Sequence, residues 1–333
     1  MFTTSIKYDG TINGAMGLAG ADAACASLAS AAGLPAGTYK AWLSTSTVDA
    51  KSRLGTARGF IRPDGSPFAD KVSDITAGKI LNPPNIDENG AAIGDEGAWT
   101  GTNASGAEAA GETCSDWTSN SGLAVAGSVG GGPQVWTAST GAETSCSGMF
   151  HLYCFDTTHT NPLSFTPASG RIAFLSTGFD TSSGLSGADA QCQSEAASAG
   201  LPNPTTYLAL LAISSASAES RFDLSAGSMP YVRPDGIKIA DAPTIAAGMP
   251  LDSGIWQHAD GSYETNPNLE LFWAGADGVS STDHNASETC SDWSTNIAPA
   301  TGNLSLLIAG QGWWDGFSTF CSELGVGVLC LEQ

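Results

Sequence analysis

One sequence plan appears twice in this chain of 333 residues. Three segments of the first half return in the same order in the second half: Gly-Ala-Asp-Ala-Ala-Cys at 20–25 and Gly-Ala-Asp-Ala-Gln-Cys at 187–192, Arg-Pro-Asp-Gly at 62–65 and 233–236, and Glu-Thr-Cys-Ser-Asp-Trp at 112–117 and 288–293. Each copy is longer than a solenoid repeat of about 20 to 50 residues and has the size of a single-core domain. The repeat therefore predicts two tandem domains, at residues 1–157 and 171–333, joined by a linker at 158–170.

The eight cysteines lie at matching places in the two copies: Cys25, Cys114, Cys146 and Cys154, then Cys192, Cys290, Cys321 and Cys330. Four cysteines per copy allow three pairings and indicate a disulfide framework. A metal site needs clustered Cys-x-x-Cys pairs, which the sequence does not contain. Because disulfides persist in oxidising compartments, the protein is expected to be secreted or displayed at a cell surface. No signal peptide is visible at the start of this chain.

The chain is strongly acidic, with 33 Asp and Glu against 12 Lys and Arg and a net charge of −21. Nucleic acids, anionic membranes and sulfated glycans would be repelled at long range, so they are not expected as partners. The many carboxylates are suitable ligands for hard cations such as Ca²⁺. No apolar run approaches the roughly 20 residues that a membrane-spanning helix requires, and membrane insertion is not expected.

Each copy is expected to begin with a helix and to end in short strands. Residues 18–32 are rich in alanine and place Cys25 on the buried face of an amphipathic helix that ends at Gly33. The segments 81–112 and 250–288 have little periodicity. Loops of this length are usually functional.

This arrangement of cysteines and loop resembles the C-type-lectin-like fold, and in particular the bacterial endostatin-like modules that include leptospiral endostatin-like surface proteins. The residues that carry the resemblance are 20–25, Gly33-Leu34-Pro35, Ala41-Trp42-Leu43-Ser44, Trp99-Thr100-Gly101-Thr102, 114–117 and Leu152-Tyr153-Cys154, with Trp273-Ala274-Gly275 and Leu329-Cys330 in the second copy. The resemblance implies an α+β fold: two tandem C-type-lectin-like domains, each with short helices, a small mixed or antiparallel sheet, a long irregular loop and two disulfides. The implied pairs join first to last and second to third cysteine: Cys25–Cys154, Cys114–Cys146, Cys192–Cys330 and Cys290–Cys321.

The function implied by this resemblance is the binding of a glycan or an extracellular or host protein through the long loop. Two departures bear on the ligand. The first loop reads Asn82-Pro83-Pro84 and the chain lacks a Trp-Asn-Asp triplet, which argues against direct sugar binding through Ca²⁺. An Arg-rich heparin-binding surface is also missing.

The first long loop carries a candidate cation site. Asp87, Glu88, Asn89, Asp95 and Glu96 supply the oxygen ligands that Ca²⁺ prefers, although their spacing is not that of an EF-hand. A solvated acidic loop is the alternative. A weaker counterpart in the second copy comprises Asp260, Glu264, Asn266 and Glu270.

Aromatic residues in the second half of each copy are candidate ligand contacts, although this fold also buries tryptophan around its loop. The candidates are Trp99, Trp273, Trp313 and Trp314, together with Asn103, which begins an Asn-Ala-Ser sequence. Trp313 and Trp314 are adjacent residues in a predicted strand, so one of the two indoles is expected to be exposed.

Two further groups of polar residues favour a structural role. Asp116 and Asp292 are expected to accept hydrogen bonds from turn backbone rather than to act as ligands. His258, in a His-Ala-Asp sequence, and His284, beside Asp283, could assist a metal, but the four histidines lack zinc spacing.

Catalysis is not expected, because the sequence contains no nucleophile elbow, phosphate loop or zinc helix. The favoured function is that of an extracellular binding protein or adhesin. The alternative is a structural subunit that self-assembles into a filament, a surface layer or a phage fibre.

Overall fold

The computed structural model describes residues 1–333 except 134, 140–142, 267–270, 283–286, 315 and 324, and also leaves out the side chain of Ala15. The chain divides into two compact units, Met1–Phe165 and Thr166–Gln333. Both units are mixed α+β structures with few helices and small sheets. Part of the segment predicted as a linker packs on the first unit, since the Leu163 amide donates to Asp70.

The first unit contains eight strands and five helical segments in its described part. The strands are β1 Phe2–Thr3, β2 Tyr39–Ala41, β3 Arg58–Ile61, β4 Pro67–Lys71, β5 Gly97–Trp99, β6 Leu123–Ser128, β7 Glu143–Ser145 and β8 His151–Asp156. The helical segments are α1 Ile12–Ala15, α2 Gly17–Ala31, α3 Ala50–Arg53, α4 Val72–Thr76 and α5 Cys114–Trp117.

Strand β8 is the centre of the first unit. It pairs antiparallel with β1 and β2 and parallel with β5, and β5 continues through β6 to the outer strand β7. Strands β3 and β4 form a separate hairpin. Because β8 has neighbours along both edges, all its residues except Asp156 are buried.

The second unit follows the same plan. Its strands are β9 Arg171–Leu175, β10 Tyr207–Ala209, β11 Tyr231–Val232, β12 Lys238–Ala240, β13 Leu271–Trp273, β14 Thr301–Leu306, β15 Phe317–Phe320 and β16 Leu329–Glu332. Its helical segments are α6 Gly184–Ser198, α7 Ala242–Ala246 and α8 Cys290–Trp293, with 3₁₀ turns at Pro204–Thr206, Glu219–Arg221 and Gln311–Trp314. Five strands form a sheet in the order β10-β16-β9-β11-β12, and three form a sheet in the order β13-β14-β15.

The predicted amphipathic helix is present as α2, one residue displaced from the predicted bounds. Its residues Ala21, Ala24 and Cys25 pack into a core that contains Trp99 and Trp117. Gly33 follows the helix with a φ of 68°, which glycine adopts without steric cost. Alanine at the contact positions lets the helix lie close to the sheet.

The four predicted disulfides are confirmed. They are Cys25–Cys154, Cys114–Cys146, Cys192–Cys330 and Cys290–Cys321. In each unit the outer bond joins the long helix to the central strand, β8 or β16. The inner bond joins a short helical segment to the end of the outer strand hairpin.

The segments α5 and α8 are single turns of left-handed helix. Cys114, Ser115, Asp116 and Trp117 have φ values of 50°, 53°, 57° and 64°, and the four matching residues of α8 have φ values from 51° to 61°. This conformation costs a non-glycine residue on the order of 1–2 kcal/mol. Four such residues in succession therefore require strong tertiary contacts.

Those contacts are the same in both units. The Asp116 carboxylate accepts hydrogen bonds from the Ser46 amide at 2.7 Å and the Ser46 hydroxyl at 2.7 Å, and Asp292 accepts the same pair from Ser214. The indole of Trp117 is buried and donates to the Ser44 carbonyl at 2.7 Å. The predicted structural role of the aspartates is therefore confirmed, although the backbone that they bind lies in a distant segment.

Substitution of Asp116 by Ala should destabilise the first unit by about 2 kcal/mol, because two hydrogen bonds to a charged acceptor are lost. Asp116→Asn retains one acceptor oxygen and should cost less. The hydrogen bonds from Ser46 lower the pKa of Asp116 below its ordinary value of 3.8. Their contribution to the free energy of unfolding is therefore complete above pH 3.8 and is lost as the pH falls through the lowered pKa. Guanidinium unfolding at neutral and acidic pH measures this, and an undiminished effect at low pH would contradict it.

Candidate functional site

The tryptophans predicted to contact ligand are buried. Trp99 and Trp273 have no exposed surface, and Trp313 and Trp314 are 1% and 4% exposed. The Trp99 indole donates to the Tyr8 carbonyl at 2.7 Å. The expectation that one indole of the adjacent pair is exposed is wrong, and none of the four reaches a ligand in this conformation.

The physical reason is the local backbone of residues 311–314. These residues form a 3₁₀ turn instead of a strand, so adjacent side chains do not face opposite sides. Both rings of Trp313 and Trp314 pack on Phe272, and they lie 5.4 Å from each other. Their indole nitrogens donate to the backbone carbonyls of Met249 and Ala276.

Asn103 is committed to its own turn. Its side-chain oxygen accepts hydrogen bonds from the Ser105 amide at 2.9 Å and the Ser105 hydroxyl at 2.7 Å. Its side-chain nitrogen donates to the Glu108 carbonyl at 3.2 Å. The residue therefore closes a loop and does not present a free amide to a ligand.

Asp87 and Glu88, two of the predicted calcium ligands, are buried. One oxygen of Asp87 accepts the amides of Asn89 and Ala91, both at 2.8 Å. The Glu88 carboxylate accepts the amide of Ser5 at 2.9 Å and is also bonded by the Ser5 hydroxyl. Both carboxylates hold the beginning of the long loop in place.

The other three predicted calcium ligands have different surroundings. Asn89 and Asp95 are exposed, and Glu96 forms an ion pair with Lys7 and a hydrogen bond with His151, whose Nε2 lies 3.0 Å away. The hydrogen bond from Lys7 lowers the pKa of Glu96. In the described part of the chain, no group of three or more His, Cys, Asp or Glu residues could hold a metal ion. Calcium binding stays a prediction.

The corresponding stretch of the second unit holds a different arrangement. Asp260 accepts the amide and the hydroxyl of Ser262, and Glu264 approaches His258. Asn266 donates its amide to Glu264 at 2.7 Å. Glu270 lies outside the described residues, as do Asp283 and His284.

The two long loops begin with the same backbone structure. An isolated bridge joins Ile86 to Ala92 in the first unit and Gln257 to Tyr263 in the second. The residue after each bridge donates its amide across a tight turn, from Asp87 to Ala91 and from His258 to Ser262, both at 2.8 Å. His258 therefore occupies the position that Asp87 has in the first unit.

A pocket of about 260 Å³ adjoins His258 and Glu264 in the second unit. Leu271 lines it as a half-buried apolar residue, and Leu175, which also adjoins it, is only 2% exposed. Gly327 also lines it, and a Cβ there would lie 2.3 Å from the Ser176 carbonyl oxygen, so a larger residue does not fit this backbone.

The first unit fills the equivalent position with a side chain. The bridge of Phe272 with Gly327 corresponds to the pairing of Ala98 with His151. His151 is buried, and its Nδ1 lies 2.5 Å from the Thr4 carbonyl oxygen. The second copy has Gly327, which lines the pocket, at the position of this buried histidine.

His258 is oriented by two contacts. Its Nδ1 lies 2.9 Å from the Leu175 carbonyl oxygen, and because a carbonyl only accepts, Nδ1 carries the proton. Its Nε2 lies 3.6 Å from a carboxylate oxygen of Glu264. Both side chains retain some exposure, 18% for His258 and 12% for Glu264, so they are accessible from the pocket.

The pair favours opposite charges. Burial opposes ionisation of His258, but the nearby Glu264 carboxylate and the hydrogen bond to the Leu175 carbonyl outweigh burial and raise the pKa of His258 above 6.5. Burial likewise acts against the carboxylate of Glu264, but the nearby His258 and the hydrogen bond from the Asn266 amide outweigh it and lower the pKa of Glu264 below 4.5. The pair can therefore offer a polar ligand one hydrogen-bond donor, His258, and one acceptor, Glu264, with no metal ion required.

The sequence identified His258 and Glu264 only as weak metal candidates. The spacing of six residues between them does not reveal that a turn brings the two together, and the glycine at 327 becomes informative only when it is aligned with His151.

No protein-family model matches the chain, and no curated protein is significantly similar to it. None of the described helices has the length and apolar content needed to cross a membrane.

Glu264→Gln should lower the pKa of His258, because the charge that opposes the effect of burial is removed. The destabilisation by this substitution should be greatest between pH 4.5 and 6.5, where Glu264 is ionised and His258 protonated, and should decline as pH rises through the raised pKa of His258. Titration of the imidazole signals by NMR measures the shift, with the exposed His159 as the internal control. An unchanged His258 titration would contradict the ion pair.

Proposed function

We propose that the protein is an extracellular binding protein, an adhesin for a glycan or an extracellular protein, built from two endostatin-like modules of the C-type-lectin-like fold. The observation that carries the proposal is the pocket of His258 and Glu264. It combines apolar walls with two oriented polar groups, which is the usual composition of a small ligand site. The confirmed disulfide pairing and the irregular long loop support the choice of fold family.

The chemistry of the pocket favours an uncharged, hydroxyl-bearing group over an anion. The Glu264 carboxylate can accept a hydrogen bond from a ligand hydroxyl, and Nε2 of protonated His258 can donate one to a ligand oxygen. Leu271, which is half-buried, provides apolar surface against which the C–H face of a sugar ring packs. The net charge of −21 repels polyanions and so favours neutral glycans or basic proteins.

The alternative function, a structural subunit of an extracellular assembly, is favoured by one observation. The outer strand β15 has no charged residue and exposes Phe317 by 45% and Phe320 by 53%. An exposed apolar edge strand can pair with another chain. An assembly subunit should increase in mass with concentration in sedimentation equilibrium, whereas an adhesin should remain a monomer.

An array of glycans and extracellular matrix proteins, probed with the labelled full chain, tests the binding function. His258→Ala and Glu264→Gln should each weaken binding by about tenfold or more, since each removes a central polar contact. His159→Ala in the first unit is the matched control and should leave binding unchanged. Equal binding by all three variants would exclude this pocket.

The same array separates the cation hypothesis from the pocket hypothesis. Binding that disappears with EDTA and returns with Ca²⁺ would support a cation-organised loop at Asp87 and Glu88. Because the described residues contain no preassembled metal group, we expect binding to survive EDTA. Absence of binding to every probe, combined with growth in mass, would favour the assembly subunit.

A further inference from the structure

The outer strand β15 of the second unit exposes both of its faces. Phe317, Ser318 and Phe320 are exposed and Thr319 is half-buried. The strand pairs on one side with β14, through Phe317 opposite Leu304 and Phe320 opposite Thr301. It is the last strand of the described sheet, so no described strand pairs with its other edge, and the Phe320 carbonyl already accepts the amide of Glu323.

The first unit protects the same edge. Its outer strand β7 pairs with β6 as β15 pairs with β14, and the half-cystines Cys146 and Cys321 follow the two strands at the same place. Aligned in this way, Glu143 corresponds to Ser318 and Ser145 corresponds to Phe320. A charge and a small polar residue are ordinary protection of an edge strand, and the second copy has replaced both.

The apolar surface extends beyond the strand. Ile297 is 69% exposed and lies in the turn that precedes β14. Its carbonyl accepts the amide of Ala300, whose own carbonyl accepts the amide of Cys321, the residue after Phe320. Ile297 and Phe320 therefore stand at the same end of the hairpin.

A second pocket, of about 350 Å³, opens at this end of β15. Its described ionisable side chains, Asp180 and Glu323, are both carboxylates. Glu323 is tied to the strand because its amide donates to the Phe320 carbonyl at 3.1 Å. Asp180 is held by the Asn296 side chain at 3.1 Å, next to Ile297.

We propose that β15 is a docking edge for an extended segment of a partner protein that carries lysine or arginine beside apolar residues. The segment adds a strand to β15, its apolar side chains cover Phe317 and Phe320, and its cation enters the pocket between Asp180 and Glu323. Strand addition supplies affinity through main-chain hydrogen bonds and specificity through side-chain pockets. The pocket at β15 shares Gly178 and Gly325 with the pocket of His258 and Glu264, but neither its two carboxylates nor β15 lines that pocket.

Charge decides between a second copy of this chain and a basic partner. The chain carries a net charge of −21, so two copies repel each other at long range. A basic segment is attracted by the same field and finds two carboxylates beside the apolar strand. Charge complementarity of this kind determines partner choice and association rate.

Three short synthetic peptides test the proposal on the full chain by fluorescence anisotropy. The first alternates valine and threonine and has two lysines at one end, the second replaces these lysines with glutamate, and the third is the lysine peptide with alternate backbone amides N-methylated. We expect binding of the lysine peptide, weakened by added salt, and at least about tenfold weaker binding of the other two. Equal binding of all three would overturn the strand-addition geometry.

The first unit supplies matched variants. The pair Ser318→Glu and Phe320→Ser gives β15 the residues of β7, which folds with them, and should abolish peptide binding. The reciprocal pair, Glu143→Ser and Ser145→Phe, tests whether the edge residues are sufficient without the carboxylate pocket. We expect less binding there because the first unit has Asp9 at the position of Asp180, with the same hydrogen bonds from the residue two positions later, but has Gly148 at the position of Glu323.

Two controls separate this proposal from its competitors. His258→Ala should leave peptide binding unchanged, so failure of the ligand pocket and failure of the docking edge have different signatures. If the unmodified chain dimerises in sedimentation and Phe320→Ser alone abolishes dimerisation, the occupant is a second copy, and the basic partner is overturned.

Discussion

The covalent bond between the long helix and the central strand is the constraint on which each unit depends. Cys154 lies in β8, which holds neighbours along both edges, and Cys330 lies in β16, which pairs with β9 and β10. The bond fixes α2 or α6 over the sheet, where small residues allow close packing. With these two layers in register, the remaining chain can form long irregular loops without loss of the core, because closure of a loop of more than 100 residues removes about 4 to 5 kcal/mol of unfolded-state entropy.

The left-handed turns show how that frame tolerates local strain. Each turn contains four residues in a conformation that L-amino acids avoid, and each is held by a disulfide, a buried tryptophan and an aspartate. The aspartate binds a serine that is distant in the sequence, so the turn forms only when the segments have come together. Occurrence of the same four residues with the same contacts in both copies indicates that the strained turn is part of the fold itself and not a local irregularity.

Much of the frame could be predicted from the sequence, since its determinants are periodic or paired. The alanine-rich helix, the repeated segments and the four disulfides follow from spacing and from the resemblance, and the structure confirms them. The site could not be predicted in the same way. The indole exposure predicted for Trp313 and Trp314 assumed a strand, and a 3₁₀ turn directs both rings inward. Asp87 and Glu88 accept hydrogen bonds from backbone amides that no sequence pattern reveals, and calcium binding at this loop stays a prediction.

The outer disulfides also determine how the chain responds to a pull on its ends. Force that enters before Cys25 passes directly to Cys154, and force that reaches Cys192 passes directly to Cys330. The residues enclosed by these bonds carry no tension, and both left-handed turns lie among them, whereas residues 175–181, which line the two pockets of the second unit, lie outside them. Only the segment between Cys154 and Cys192, together with the short ends, can lengthen under load. Tension on the chain ends would therefore act first on strand β9 and on the walls of these pockets, while the left-handed turns stay unloaded.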